Sequence, residues 1–123
     1  MIQQKLDIDI TTENKEIIAN PKVLNDFIQI LVRKIEMDTV GSAITYCYPL
    51  DHKGGGVGVT VFQPIAQSYI AIDTYPEYCH ANLHIYSCKK YNHNEVLKFV
   101  KDFFKDCQIE INYNKRKRIG KKK

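Results

Sequence analysis

Two stretches of this chain alternate apolar and polar side chains with a period of two, and they lie close enough in sequence to pair. In the first, Ile70 and Ile72 fall on one side while Tyr69, Ala71, Asp73 and Tyr75 fall on the other. In the second, Leu83 and Ile85 oppose Asn82, His84, Tyr86 and Cys88. That period marks strands with one face in a core. Pro76-Glu77-Tyr78 lies between them, and proline suits a connection because it cannot donate to a ladder. A hairpin here turns Ile70, Ile72, Leu83 and Ile85 inward. Its other face carries Tyr69, Asp73, Tyr75, Asn82, His84, Tyr86 and Cys88, which is too rich in aromatic and reactive groups for plain solvent surface. That face is expected to be a site or an interface.

The rest of the chain supplies partners for this hairpin. Leu6, Ile8 and Ile10 alternate with Asp7 and Asp9 in a strand over Lys5–Thr11. After a polar link over 12–20, Asn20 as N-cap and Pro21 as first helical residue open a helix. Leu24, Phe27, Ile28, Leu31 and Ile35 form its buried stripe, and Gly41 ends the element. Residues 42–48 read as a strand by their Ile, Thr and Tyr content. A turn-rich loop over 49–56 holds Gly54, Gly55 and Gly56. A strand over 57–62 follows it, so it lacks the helix N-terminus that a phosphate cradle requires. Asn92 or Asn94 caps a second helix with Val96, Val100, Phe103 and Cys107 on one face and Leu97 and Phe104 beside them. A short strand over 108–113 closes the order. Two helices can cover one face of such a sheet, giving an α/β (α+β) fold. The expected architecture is a two-layer sandwich with a mainly antiparallel sheet and both helices on one face. The uncovered face calls for a second copy, so a homodimer is expected.

Charge divides the chain into two parts. Seven of the 18 Lys and Arg residues lie in 115–123, leaving 11 bases against 14 acids before it. Residues 1–114 are therefore read as one mildly acidic domain, and 115–123 as a basic, disordered tail. Nucleic acid is not the expected partner. No apolar run reaches the roughly 20 residues of a membrane span. Cys47, Cys79, Cys88 and Cys107 form no paired zinc spacing, and His80 and His84 share no helical face, so no metal is expected. A reduced, cytoplasmic setting follows.

Gly58-Val59-Thr60, Ser68, Thr74-Tyr75-Pro76-Glu77 and Cys88 stand in the order and spacing of one family. The stretch resembles the short prokaryotic S-adenosylmethionine decarboxylases over about 30 residues, and the order of elements agrees over most of the chain. The resemblance implies a pyruvoyl-dependent decarboxylase of S-adenosylmethionine or a related amino acid, feeding polyamine (spermidine) synthesis. The proenzyme would cut itself at Gln67-Ser68. The Ser68 hydroxyl would attack the preceding carbonyl, and elimination from the resulting ester would leave a pyruvoyl group at position 68. Thr60 and Asp73 would stand at the processing positions, Cys88 at that of the proton donor, and Glu77 at that of the ribose-binding carboxylate, beside Tyr75.

This sequence departs from the family pattern at several of those positions. Gln67 replaces a glutamate, Tyr69 a histidine, Val61 a glycine and Tyr75 a tryptophan. Asp73 replaces the processing histidine, a residue type that can both give and take a proton near neutrality. The aromatic expected before the glycines is replaced in the His52-Lys53-Gly54 region. The alternative reading is therefore an uncleaved, catalytically inactive homologue that acts as a binding or regulatory subunit.

Overall fold

A computed structural model describes residues 2–49 and 57–117, and among these it contains six strands and three α-helices. The strands are β1 (Ile2–Thr12), β2 (Ile44–Pro49), β3 (Val57–Ile65), β4 (Ser68–Tyr75), β5 (His80–Ser87) and β6 (Cys107–Lys117). The helices are α1 (Lys15–Ile18), α2 (Pro21–Lys34) and α3 (His93–Phe104). One antiparallel sheet runs in the order β2-β3-β4-β5-β1-β6. The expected α+β sandwich with one mainly antiparallel sheet is the architecture observed.

The alternating stretches form the β4–β5 ladder, with Ile70 opposite Ile85 and Ile72 opposite Leu83. All four are fully buried, as are Leu6, Ile8 and Ile10 of the neighbouring β1. The Asn20 side chain caps α2 by accepting from the backbone N–H groups of Lys22 at 3.0 Å and Val23 at 3.1 Å. Asn92 does the same for α3 through Asn94 at 3.0 Å. The two long helices meet at Phe27, which stacks on Phe99 at 5.1 Å and 10°. Phe103 and Phe104 approach the same ring at 4.8 Å and 5.1 Å. Such contacts add to the area that burying a phenylalanine removes from water.

Several buried polar groups on this face are paired within the fold. Gln4 receives the Tyr91 N–H at 3.0 Å and donates to the Tyr91 carbonyl at 3.2 Å and the Tyr113 hydroxyl at 2.7 Å. Thr74 takes the Val59 N–H at 3.0 Å. The Gln4–Tyr113 and Val59–Thr74 bonds join neighbouring strands and favour the observed register, while the Gln4–Tyr91 pair ties the loop before α3 to β1.

Several boundaries differ from the sequence reading. Helix α2 ends at Lys34, well before Gly41, with Glu36 in the left-handed region (φ 57°) turning the chain after it. The link over 12–20 contains the one-turn α1, with Ile18 buried. Strand β3 continues through Gln63 and Pro64 to Ile65. The Pro64 carbonyl accepts from Val40 at 3.0 Å, so its missing N–H faces the same side, where pairing with β2 has stopped at Ile44–Phe62. Helix α3 ends at Phe104, because Lys105 (φ 48°) and Asp106 (φ 20°) turn the chain, and Cys107 opens β6 instead of closing the helix. Finally β6 pairs with β1 as far as Lys117, opposite Ile2. Ordered strand therefore extends three residues past the expected domain end at 114. The glycines at 54–56, the His52-Lys53-Gly54 region and residues 118–123 lie outside the described residues.

Phe27→Ala is expected to destabilise the fold by about 3–5 kcal/mol, read from the midpoint of urea unfolding. Truncating Ile111, which is 48 % exposed, should cost less than about 1 kcal/mol. Equal losses at the two positions would show that Phe27 does not anchor the helix layer.

Candidate active site

Ile65 pairs with Ser68, so only Ala66 and Gln67 join β3 to β4. Two-residue hairpin turns that match strand twist need positive φ at one or both loop residues, usually supplied by glycine or asparagine. Neither is present. The positive φ falls instead on Ser68, at 145°, where a non-glycine residue is strained by roughly 1–3 kcal/mol. Neighbouring segments hold the turn in place: the Ala66 N–H donates to the Asp38 carbonyl at 2.8 Å. On its other side the Gln67 carbonyl accepts from the Cys88 N–H at 3.1 Å and is approached by the Cys88 thiol at 3.4 Å. The peptide bond between Gln67 and Ser68 is thus strained on one side and polarised on the other. Three of the expected site residues, Gln67, Ser68 and Cys88, come together here.

The other four gather elsewhere. Thr60 lies opposite Asp73, and its hydroxyl donates to the Asp73 carboxylate at 2.7 Å. Tyr75, 36 % exposed, stacks against His80 at 5.9 Å. Burial first, then the nearby Asp73 and Tyr48, hold its phenol above the ordinary range. Glu77 follows in the 3-10 turn Pro76–Tyr78. Ser68 and Asp73 stand at positions five apart on β4, which is about 16 Å of extended strand. They also point to opposite faces, since side chains alternate. Within one chain, Thr60 and Asp73 cannot reach the Gln67–Ser68 bond.

The helix-free face carries a more ordered arrangement than alternation alone suggested. Phe62, Tyr69 and Tyr86 stack in sequence across β3, β4 and β5, at 5.3 Å and 5.6 Å. On β5, His84 pairs with Asp7, and His80 with Asp9 at 3.0 Å. The His80 hydrogen bond is the main influence that holds the Asp9 carboxyl below its usual range. Asn82 also donates to Asp9, at 2.6 Å. Sequence reading placed Asp7 and Asp9 on a polar face but did not bring them to the histidines. The missing signal was the β1–β5 register, in which Asp7 faces His84 and Asp9 faces Asn82. Among the described residues, no group of three or more His, Cys, Asp or Glu side chains is placed to hold a metal, and no helix is long and apolar enough to cross a membrane.

Comparison with known proteins gives a consistent result. A curated relative from Archaeoglobus fulgidus, named S-adenosylmethionine decarboxylase proenzyme, is 36% identical over 74 residues. That match spans 60% of this chain and 60% of the relative's length. The crystal structure of the adenosylmethionine decarboxylase from Aquifex aeolicus VF5 superposes with a TM-score of 0.75. It covers 99% of this chain and 96% of that one at 15% identity, a likeness of fold. The family model for S-adenosylmethionine decarboxylase matches residues 4–117, and the chain belongs to that family.

Proposed function

We propose that this chain is the proenzyme of a pyruvoyl-dependent S-adenosylmethionine decarboxylase that acts in the cytoplasm, in spermidine synthesis, as a homodimer. The observation that carries the reading is the Gln67–Ser68 bond, with a strained Ser68 backbone and a carbonyl held by Cys88. Attack by the Ser68 hydroxyl forms a C–O bond at the Gln67 carbonyl, breaks the C–N bond and frees the Ser68 amine. The N–H of Cys88 already points at the oxygen where negative charge develops. Elimination then removes the Ser68 Cα proton to a base and breaks the Cβ–Oγ bond, forming the Cα=Cβ bond and releasing Gln67 as a carboxylate. Hydrolysis of the dehydroalanine left behind expels ammonia. The pyruvoyl group so formed supplies the electron sink that loss of carbon dioxide from an amino acid requires. After the cut Cys88 remains beside position 68, where its thiol can deliver a proton, while Glu77 and Tyr75 are assigned to the substrate.

Thr60 and Asp73 enter this reading from a second copy. The helix-free face exposes Tyr46 (64 %), Ile44 (46 %) and Tyr75 (36 %) beside the stacked Phe62, Tyr69 and Tyr86. Two such faces related by a twofold axis perpendicular to the strands lie end over end. The Ser68 end of each then meets the Thr60–Asp73 end of the other, which approaches the turn from the side of Cys88 and the Gln67 carbonyl, the side opposite the Ser68 side chain.

Intact mass of the purified protein should show two fragments, residues 1–67 and a pyruvoyl-blocked chain from 68, and Ser68→Ala should yield one uncut chain. A wild type that remains uncut after long incubation would leave the inactive-subunit reading. Asp73→His should speed the cut, since histidine can return a proton as well as take one near neutral pH.

Mixing tests the two-copy site. Ser68→Ala and Asp73→Ala should each remain uncut alone. Co-expressed, the Asp73→Ala chains should be cut, because their Gln67–Ser68 turn meets an intact Asp73 in the mixed dimer. Cutting of Asp73→Ala by itself would remove Asp73 from the site.

A further inference from the structure

Strand β5 ends at Ser87, which lies opposite Ser68 of β4 on one side and Gln4 of β1 on the other. Cys88 is one residue beyond, past the last registered pair of both ladders. Its N–H and thiol nevertheless both reach the Gln67 carbonyl, at 3.1 Å and 3.4 Å. A donor that leaves a strand needs some other constraint to hold that aim.

The side chain of Ser87 supplies it. Ser87 is fully buried, and its hydroxyl makes two short bonds to one residue. It accepts the Lys89 N–H at 2.9 Å and donates to the Lys89 carbonyl at 2.8 Å, with the Met37 sulfur 3.9 Å away. A serine bonded to the backbone two residues ahead restrains the torsions of the residue between them, which here is Cys88. Lys89 carries the constraint further. Its ammonium donates to the Glu36 carbonyl at 2.7 Å, and two residues on the Asp38 carbonyl takes the Ala66 N–H at 2.8 Å. These contacts close a ring around the bond to be cut, from Gln67 through Cys88, Lys89, Glu36 and Asp38 to Ala66.

We propose that Ser87 is a positioning residue for self-cleavage, its hydroxyl holding Cys88 so that the N–H points at the Gln67 carbonyl oxygen. The inference rests on the self-cleavage reading and adds to it a residue that acts through Cys88. Negative charge gathers on that oxygen when the Ser68 hydroxyl attacks, and a donor stabilises it only if already in place. Small errors of placement at a reacting centre are costly in rate, so a hydroxyl that fixes the donor matters more to the cut than to the fold.

Ser87→Ala removes the hydroxyl and leaves Cys88 and the Gln67 carbonyl intact. Followed over time by intact mass, its cut should be about tenfold slower or more. Ser87→Thr, which keeps a hydroxyl, should restore the rate. Val100→Ala, at a buried position of α3, should lower the urea midpoint without slowing the cut. A wild-type rate in Ser87→Ala, a Ser87→Thr chain as slow as Ser87→Ala, or equal slowing in Val100→Ala would overturn the proposal and leave the decarboxylase reading standing. If the wild type is itself uncut, that reading falls and amide hydrogen exchange decides the role of Ser87. In a Ser68→Ala chain, adding Ser87→Ala should speed exchange of the Cys88 N–H about tenfold more than that of Ile85 in the middle of β5. Equal changes at the two amides would overturn the proposal.

Discussion

Two helices, each about 10 Å across, can shield roughly 20 Å of a sheet whose six strands, at about 4.8 Å spacing, span some 24 Å between their outer axes. That mismatch governs most of what is unusual here. On the helix side the cover runs out over β6, so Ile111 is half exposed although its opposite number on β1, Ile8, is fully buried. On the other side there is no helical cover at all. The open face compensates with cross-strand pairs, the stacked Phe62, Tyr69 and Tyr86 and the aspartate–histidine pairs of β1 and β5. Contacts of this kind contribute tenths of a kcal/mol to about 1 kcal/mol each, less than a buried core side chain. They order the face without hiding it.

The sequence made this architecture legible wherever a periodic pattern met a cap. Asn20-Pro21 opened α2 as expected, and the alternation of β1, β4 and β5 named the buried residues correctly. It failed where one apolar residue served two patterns. Cys107 continues the helical spacing of Val96, Val100 and Phe103, yet the left-handed turn at Lys105 and Asp106 hands it to β6. Neither residue is a glycine, so nothing in composition marked that turn. The basic run misled for a related reason. Lysine and arginine read as tail, but on an edge strand they also guard against unwanted pairing, and β6 uses Lys115, Arg116 and Lys117 as its last paired residues.

For the site, the linear order of Thr60, Ser68, Asp73 and Cys88 was legible but their meeting was not. Parity alone places Ser68 and Asp73 on opposite faces of one strand, a consequence that a motif read as a string conceals. The contact between Cys88 and the Gln67 carbonyl depends on the β4–β5 register, which sets Ser68 against Ser87. That register comes from the 3-10 turn at Pro76–Tyr78, closed by Cys79 in the left-handed region at φ 55°, and not from a two-residue turn with a known sequence signature.

Strain and separation together bear on when such a chain could cut itself. The strain at Ser68 is built into the single copy, held by Asp38 on one side and Cys88 on the other. It raises the energy of the peptide bond but supplies no group to move a proton. On the two-copy reading the Thr60–Asp73 pair supplies that group, and only across the open face. Below the dissociation constant of the dimer, a strained but intact chain would therefore persist. Above it, each association would bring two Thr60–Asp73 pairs to two turns at once. The rate of cutting should then rise with protein concentration and level off once dimers predominate, whereas a site contained in one chain would cut at a rate independent of concentration. The bare face left by the helix layer would thus govern the chemistry as well as the assembly.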